Sequence, residues 1–393
     1  MTKIPPPRRR SWPRRILKGF LYFLGTVLVL VIALAVTLRI RHGGGEPYPD
    51  VTGAPTIADD ALEQVVEYGE PIGNLAVSPE GRLFFTVHPE SRPSGAKLLE
   101  WVDGKAVPFP SAESQKQLFE TVLGVAIDRQ NRLWTIDHGT HGMGKARLLA
   151  IDLGTRAVVH DHVFSSDIAQ RGSFLQDLQV DGKGETVYIA DVSFWRKNPA
   201  IVVYDIASQK ARRVLESDRS VVPQDWIIRN PTKKMVFFAG LVALKAGVDG
   251  IAISRDDEWL YYAAMNHDTL YRVRTKDLRD ASLTSAGVGL RAEAVGQKPL
   301  NDGMSSDNEG NALVTDVEHG AIVRISPAGE RVTLVKSSRI RWPDALSYGP
   351  DGWLYIADSA IPDQMLRSKS HIREAAPYHI YRFRPGIAGV PGQ

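Results

Sequence analysis

The 393-residue sequence predicts an all-β fold, a six-bladed β-propeller preceded by one N-terminal transmembrane helix. Three observations carry that expectation. One short phrase recurs six times, at a spacing typical of propellers and repeat arrays. Each repeat divides into short alternating strands separated by Gly, Asp, Asn and Pro turns, which is antiparallel sheet rather than helix. Near the N-terminus, Gly19 to Leu38 is a run without a charge, long enough at helical rise to cross a bilayer core.

Composition narrows the field. The chain is 43% apolar and 24% charged, as folded proteins are. Its net charge of +3 is concentrated at one end, in Arg8, Arg9, Arg10, Arg14, Arg15 and Lys18. The remainder is mildly acidic and carries no basic stripe for a nucleic acid. There is no cysteine, which excludes disulfides, a thiol nucleophile and cysteine-ligated zinc or iron–sulfur sites. A Gly-x-Ser-x-Gly elbow and a glycine-rich phosphate loop are also missing.

Taken in order, residues 1–15 form a basic cytoplasmic tail and 16–40 a transmembrane signal anchor. The cationic cluster precedes the apolar run, so the tail is expected in the cytoplasm and the bulk of the chain in the periplasm or outside the cell. Thr37-Leu38-Arg39-Ile40-Arg41 is a poor cleavage context; a cleaved signal peptide is the alternative. Residues 41–60, with Gly43 to Gly45, Pro47 and Pro49, read as a flexible linker. The propeller occupies 61–393.

Within it, the repeated phrase is a short strand, a polar turn and a returning strand. Val248 to Ser254 followed by Trp259 to Tyr262 is one copy, and the others start near Gly73, Leu123, Gln176, Asp302 and Asp344. Blade two is read as Leu123–Asp128, Arg132–Asp137, Arg147–Asp152 and Ala157–His162. Blade five is read as Asp302–Ser306, Ala312–Asp316, Ala321–Ser326 and Arg331–Lys336. The longer interval after the third copy places an insertion within Glu216 to Lys245. The last copy lacks a strand, and Leu62 to Tyr68 has no blade of its own, so that segment is expected to complete blade six and close the ring.

Hairpin geometry puts the residue that opens strand one on the same face as the residues that end strand two. The openers are Gly73, Leu123, Gln176, Asp249, Asp302 and Asp344, with Asn74 and Asp177 one step inward. The residues past strand two include His88, Asp137, His138, Asp191, His267, Asp316, His319 and Asp358. Converging carboxylates favour a bound cation or proton uptake, and an oxygen-rich set suits calcium or magnesium. Asp249 and Asp302 are therefore the candidate metal ligands and catalytic groups. Asn74, Gln176, Asp177, Asp344, His138 and His319 are the candidate ligand-pocket residues. An Asp before Gly also commonly bonds backbone N–H groups of its own turn, and a lone histidine there is also read as a surface-loop residue. Trp134, Trp259 and Trp353 read as packing between blades.

These segments resemble a known family. Leu123 to Arg129 with Arg132 to Gly139, Phe174 to Asp181 with Val187 to Asp191, and Val248 to Ala252 with Leu260 to Tyr262 are similar to signatures of the major royal jelly and yellow proteins. The resemblance runs over about 61–385. It implies a six-bladed extracytoplasmic propeller with an axial ligand pocket; insect members bind small amines or are linked to pigment formation, and some are labelled dopachrome-converting. The anchor departs from the secreted insect pattern. More distantly, Asp302-Gly303-Met304 resembles the metal-binding segment of gluconolactonase and regucalcin-like lactonases. In that comparison Asp249 and Gln176 stand where Asn ligands are expected, and Gly73 replaces a metal-binding Glu. The function expected is small-molecule binding at the axis, with calcium as the first candidate cofactor and the membrane engaged through 16–40. The alternatives are a metal-dependent lactonase, a dopachrome-type isomerase and a protein-interaction platform.

Overall fold

The computed structural model describes residues 14–393, so the basic tail expected at 1–15 lies almost entirely outside the described residues. The contacts divide the chain into two compact units, 1–45 with 236–244, and 46–235 with 245–393. In the first, one helix runs from Arg14 to His42. Its apolar stretch has a mean hydropathy of 2.6 and none of it is buried. By length and composition it can cross a membrane. A two-stranded bridge, Val236–Phe237 with Val242–Ala243, completes that unit.

The second unit is a six-bladed propeller of four-stranded antiparallel sheets. Blade one is Ile72–Val77, Leu83–Val87, Leu98–Val102 and Lys105–Pro108. Blades two, three, four and five open with Val122–Ile127, Leu175–Val180, Val248–Ile253 and Met304–Ser306. Blade six joins Pro343–Tyr348, Leu354–Asp358 and Tyr378–Phe383 to the early strand Glu63–Tyr68. Ring closure by the first ordered strand is thus as the sequence predicts, and no sheet edge remains at the seam. Each first strand touches the first strands of both neighbouring blades. Its residues are buried throughout, because one face packs on each neighbour. Leu, Val, Ile and aromatic residues of successive blades fill the gaps between sheets, Trp134 among them.

Two features of the first strands govern the centre. In blades one, two, three, four and six, the pairing with strand two slips at the opener. The residues in the slip, such as Asn74, Asp177 and Asp249, leave the ladder and are re-aimed, as bulged residues are. The blades also crowd at glycines. A Cβ on Gly250 would lie 2.5 Å from the Asp302 carbonyl oxygen, and one on Gly303 would lie 2.3 Å from that of Asp344. Only a hydrogen at these positions lets the inner strands come so close.

Both ends of the axial channel are covered. The stretch expected as a flexible linker is laid along blade five. Glu46 pairs with Trp226, Tyr48 donates to the Lys298 carbonyl at 2.8 Å, and Ile57 N–H donates to the Leu334 carbonyl at 2.8 Å. Of the insertion expected within 216–245, the part up to residue 235 belongs to the propeller unit and crosses the same face as a strap. Gln224 N–H donates to the Asn266 carbonyl at 2.8 Å, and Asn230 Nδ2 donates to the carbonyls of Val317 and Arg341 at 2.8 and 2.7 Å. On the far face the tail after blade six turns inward. Gly392 carbonyl accepts from Ile127 N–H at 3.0 Å. Gln393 carbonyl accepts from Tyr348 N–H at 2.9 Å and from Ser305 Oγ at 3.1 Å. These partners lie on three different blades, so the tail floors the channel, which the sequence analysis did not foresee.

The crowding predicts its own test. Gly303→Ala must push a methyl into a backbone carbonyl, and overpacking of this kind costs about 1–3 kcal/mol. Thermal unfolding should shift down by several degrees, whereas an unchanged midpoint would mean that the inner strands are not in this contact.

Candidate functional site

Six polar side chains converge where the first strands open. Asn74, Gln176, Asp177, Asp249, Asp302 and Asp344 are all buried. Gln176 Nε2 donates to Asp249 Oδ1 and also to Asp302 Oδ1, the latter at 3.4 Å. Asn74 Nδ2 donates to Asp177 Oδ1 at 3.4 Å. Trp342 Nε1 donates to Asp302 Oδ2 at 2.6 Å, which fixes that carboxylate from the side of blade six. Asp177 also accepts from Leu178 N–H at 3.0 Å and Ile251 N–H at 3.4 Å. Six of the eight site residues expected from sequence thus gather in one group spanning blades one, three, four, five and six.

Electrostatics set its character. Burial pushes Asp302 up to about 7, against the hydrogen bonds from Trp342 and Gln176. Burial likewise pushes Asp177 up to about 7, against the N–H groups of Ile251 and Leu178. Asp249 rises well above the ordinary carboxylate range through burial and then the neighbouring Asp302 charge. Asp344 does so for the same two reasons. The contact between Asp249 and Asp302 acts on the two in opposite directions, raising Asp249 and lowering Asp302. The nearest buried cation is Lys298, whose side chain is wholly enclosed and donates only to the Pro299 carbonyl, at 3.1 Å. Burial lowers it to about 7, with Asp268, Asp316 and Asp249 opposing.

Histidines border the group. His88 Nδ1 accepts from Glu90 N–H at 3.2 Å, so its proton sits on Nε2, 3.6 Å from Asp344 Oδ2. His138 is held in the same way by His141 N–H at 2.9 Å, and its buried Nε2 has no partner. Burial depresses both imidazoles, His88 to about 4. His138 therefore lies beside His88 at the mouth, packed on Phe174 with ring centroids 4.2 Å apart. His319 is elsewhere. Its partners are Asp316 at 2.8 Å and Asp50 at 3.5 Å, in a network that Lys336 joins at 3.1 Å from Asp50.

The carboxylates that end strand two proved structural. Asp137 accepts from the N–H groups of Glu120, Thr121 and Gly139 at 2.6–3.0 Å. Asp191 accepts from Phe174 and Ser193, Asp316 from Glu318 and His319, and Asp358 from Arg341 and Trp342. Asp137, Asp191 and Asp358 each tie a blade to the loop before its first strand and Asp316 fixes its own turn, so their oxygens are engaged within the fold. Sequence reasoning missed His88 as a partner of Asp344, Lys298 and Trp342. For Trp342 the signal was available: it stands two residues before Asp344, in the loop that precedes an opener.

Whether these residues suit a divalent cation can be judged from their own chemistry. Asp344 Oδ2 is buried with no donor at hydrogen-bonding distance, the His88 Nε2–H standing 3.6 Å away. The Gln176 amide stands between two carboxylates, and a half-turn would present its Oε1 there instead. Both favour a hard cation. Among the described residues, three carboxylate or imidazole ligand atoms lie within 4.8 Å of one another at Asp50, Asp316 and His319. That trio is already balanced by Lys336 and an internal hydrogen bond. The axial oxygens are more widely set, so a cation there would draw on Asn74 and Gln176 as well as the aspartates. Between the openers and the tail lies a cavity of about 10 Å³, lined by Asn74, Asp177, Gly303 and Gln393 among others. It has room for a single water or ion.

Comparison with known proteins follows the same lines. The family model described as Major royal jelly protein matches residues 120–346. Major royal jelly protein 9 of Apis mellifera is 27% identical over 197 residues, which is 47% of this chain and 42% of that protein. Major royal jelly protein 1 of the same organism is 26% identical over 169 residues, 39% of this chain and 37% of that protein. The matched stretch spans about two fifths of these relatives. Among solved structures, a luciferin-regenerating enzyme superposes with a TM-score of 0.55 at 14% identity, covering 84% of this chain and 97% of that one. A gluconolactonase from Xanthomonas campestris gives 0.53 at 14% identity, covering 87% and 97%. A calcium-binding protein, regucalcin, from Agrobacterium tumefaciens gives 0.52 at 15% identity, covering 83% and 95%. At these identities the likeness is one of fold.

The raised carboxylates fix the sign of a pH effect. An acid with a folded pKa near 7 and an unfolded pKa of about 4 binds protons more tightly when folded. Its contribution favours folding at low pH and is lost as pH rises from about 4 to about 7. In chelator-treated protein, this group should make the thermal midpoint fall between pH 5 and 8, and Asp302→Asn should flatten that fall. A midpoint that rises over this range, with no effect of the substitution, would contradict the crowding of these carboxylates.

Proposed function

The chain belongs to the major royal jelly protein family, and from that premise we propose that it is a membrane-anchored, extracytoplasmic propeller that holds one divalent cation, calcium first, at its axis and binds a small molecule at the mouth of the ring. The observation that carries this reading is the set of four buried aspartates, Asp177, Asp249, Asp302 and Asp344, facing one another with Lys298 as their nearest buried base. Burying carboxylates together is costly unless protons or a cation neutralise them.

Asp249 and Asp302 would hold the ion, with Asp177 and Asp344 flanking it and Asn74 and Gln176 turning amide oxygens toward it. A bound divalent cation supplies charge neutralisation and Lewis acidity toward an oxygen of the ligand. Trp342 keeps Asp302 in one orientation. A proton on Asp249 is displaced on binding and leaves to solvent. The volume of about 10 Å³ beneath the openers, lined by Asn74 and Asp177 but not by Asp249 or Asp302, leaves no room for an organic ring in the channel itself, so the small molecule would sit above the openers, beside His88 and Asp344. Lactone hydrolysis would use the same residues. Binding is preferred because Gly73 contributes no side chain to the ring of openers.

Trp342 makes binding visible. Calcium or terbium added to the full chain should change tryptophan emission with a stoichiometry of one, and Trp342→Phe should remove most of the change. Asp302→Ala should weaken binding by at least about tenfold. If calorimetry finds no calcium binding to the wild type at pH 8, the reading is wrong. If chelator-sensitive turnover of a simple lactone accompanies binding, the protein is a hydrolase.

A further inference from the structure

We propose that the rim of the mouth face at blades six, one, two and three is a docking surface for an anionic lipid bilayer. The proposal rests on the reading that the helix after residue 15 crosses a membrane. Three large apolar side chains stand out on this face, Met143, Trp195 and Leu366, at 60%, 44% and 57% exposure. Each lies in the loop that follows strand two, in blades two, three and six, and such loops all emerge on one face of the ring. Single exposed apolar residues need no explanation. Here three blades place one at the same point of the repeat.

Charge identifies the occupant. The loops after strand two in these four blades, 88–97, 138–146, 192–199 and 359–377, hold eight lysines and arginines against three acidic residues. Lys145, Arg196 and Lys369 are exposed beside the apolar tips. The corresponding loops of blades four and five hold Asp268 and Glu318 and no lysine or arginine. Apolar tips flanked by cations are the pattern of an interfacial surface on anionic lipid, and a tryptophan prefers the headgroup level.

The tips are also held in place. Lys369 Nζ donates to the carbonyls of Ser91 and Arg92 at 2.7 and 2.6 Å, locking the loops of blades six and one together. Arg171 Nε contacts Met143 Sδ at 3.2 Å. A rigid rim does not give up chain entropy on docking. The mouth of the axial site is on this same face, so docking sets it at the headgroup layer.

The natural absence of cysteine makes the test direct. Full-length Met143→Cys, Trp195→Cys and Leu366→Cys variants, each carrying a bimane label, are placed in nanodiscs of neutral or phosphatidylglycerol-containing lipid with nitroxides on the headgroups or at the acyl-chain ends. Leu28→Cys reports on the helix through the acyl-chain nitroxides, and Ala207→Cys, exposed in the turn between strands three and four of blade three at the opposite face, is the control. The three rim labels should be quenched about twofold or more in anionic discs, with Ala207→Cys unaffected. Lys145→Glu, Arg196→Glu and Lys369→Glu together should remove the rim quenching without changing Leu28→Cys. Quenching at Leu28→Cys with none at the rim overturns this proposal alone and leaves the face to a protein partner. No quenching at Leu28→Cys removes the membrane-spanning reading and this proposal with it.

Discussion

Close approach of the innermost strands is the constraint on which the rest of the molecule depends. At Gly250 and Gly303 the next blade's backbone carbonyl sits where a side chain would begin. The residue before each glycine is an aspartate, so the contact that packs the ring also brings Asp249 and Asp302 together. The slipped pairing of the openers does the remaining work by taking Asn74, Asp177 and Asp249 out of the ladder. Packing and site are thus one arrangement. Relaxing the strands to ease the charge would open the core between blades.

A ring of buried acids has to be tolerated by its surroundings. Trp342 and Gln176 supply neutral donors, burial and the Asp302 charge push Asp249 toward its neutral form, and Lys298 lies within electrostatic range. The strap from 224 to 230 and the segment from Glu46 cover the mouth side near blades four, five and six, and the tail ending at Gln393 floors the other end. Exclusion of water at both ends strengthens every interaction at the centre. The mouth side of blades one and two is bordered by His88 and His138, two buried neutral imidazoles that carry their protons on Nε2.

Much of this was legible in the residues. Six phrases of alternating apolar residues around polar turns specify the blades, and the orphan strand before Ile72 identifies its partner by the gap in blade six. The openers could be placed on one face from hairpin geometry alone, which is why Asp249, Asp302, Asp177, Asp344, Asn74 and Gln176 were found. What could not be read was which carboxylates spend their oxygens on backbone. Asp137, Asp191, Asp316 and Asp358 look like the axial aspartates in sequence, yet Asp137, Asp191 and Asp358 bond N–H groups of the loop before their blade's first strand and Asp316 those of its own turn. His319 belongs with them, drawn to Asp50 by a segment that its glycines and prolines made look loose. Lys298 and the flooring tail depend on contacts across the ring, for which no local pattern exists.

The central claim is that the axial aspartates form a single cation site. Anomalous diffraction from crystals of the full chain grown with terbium tests it most directly. The account predicts one strong peak between Asp249 and Asp302, about 2.3–2.6 Å from their oxygens, with the Gln176 amide reversed. A map with no axial peak would contradict it, as would a peak only at Asp50, Asp316 and His319.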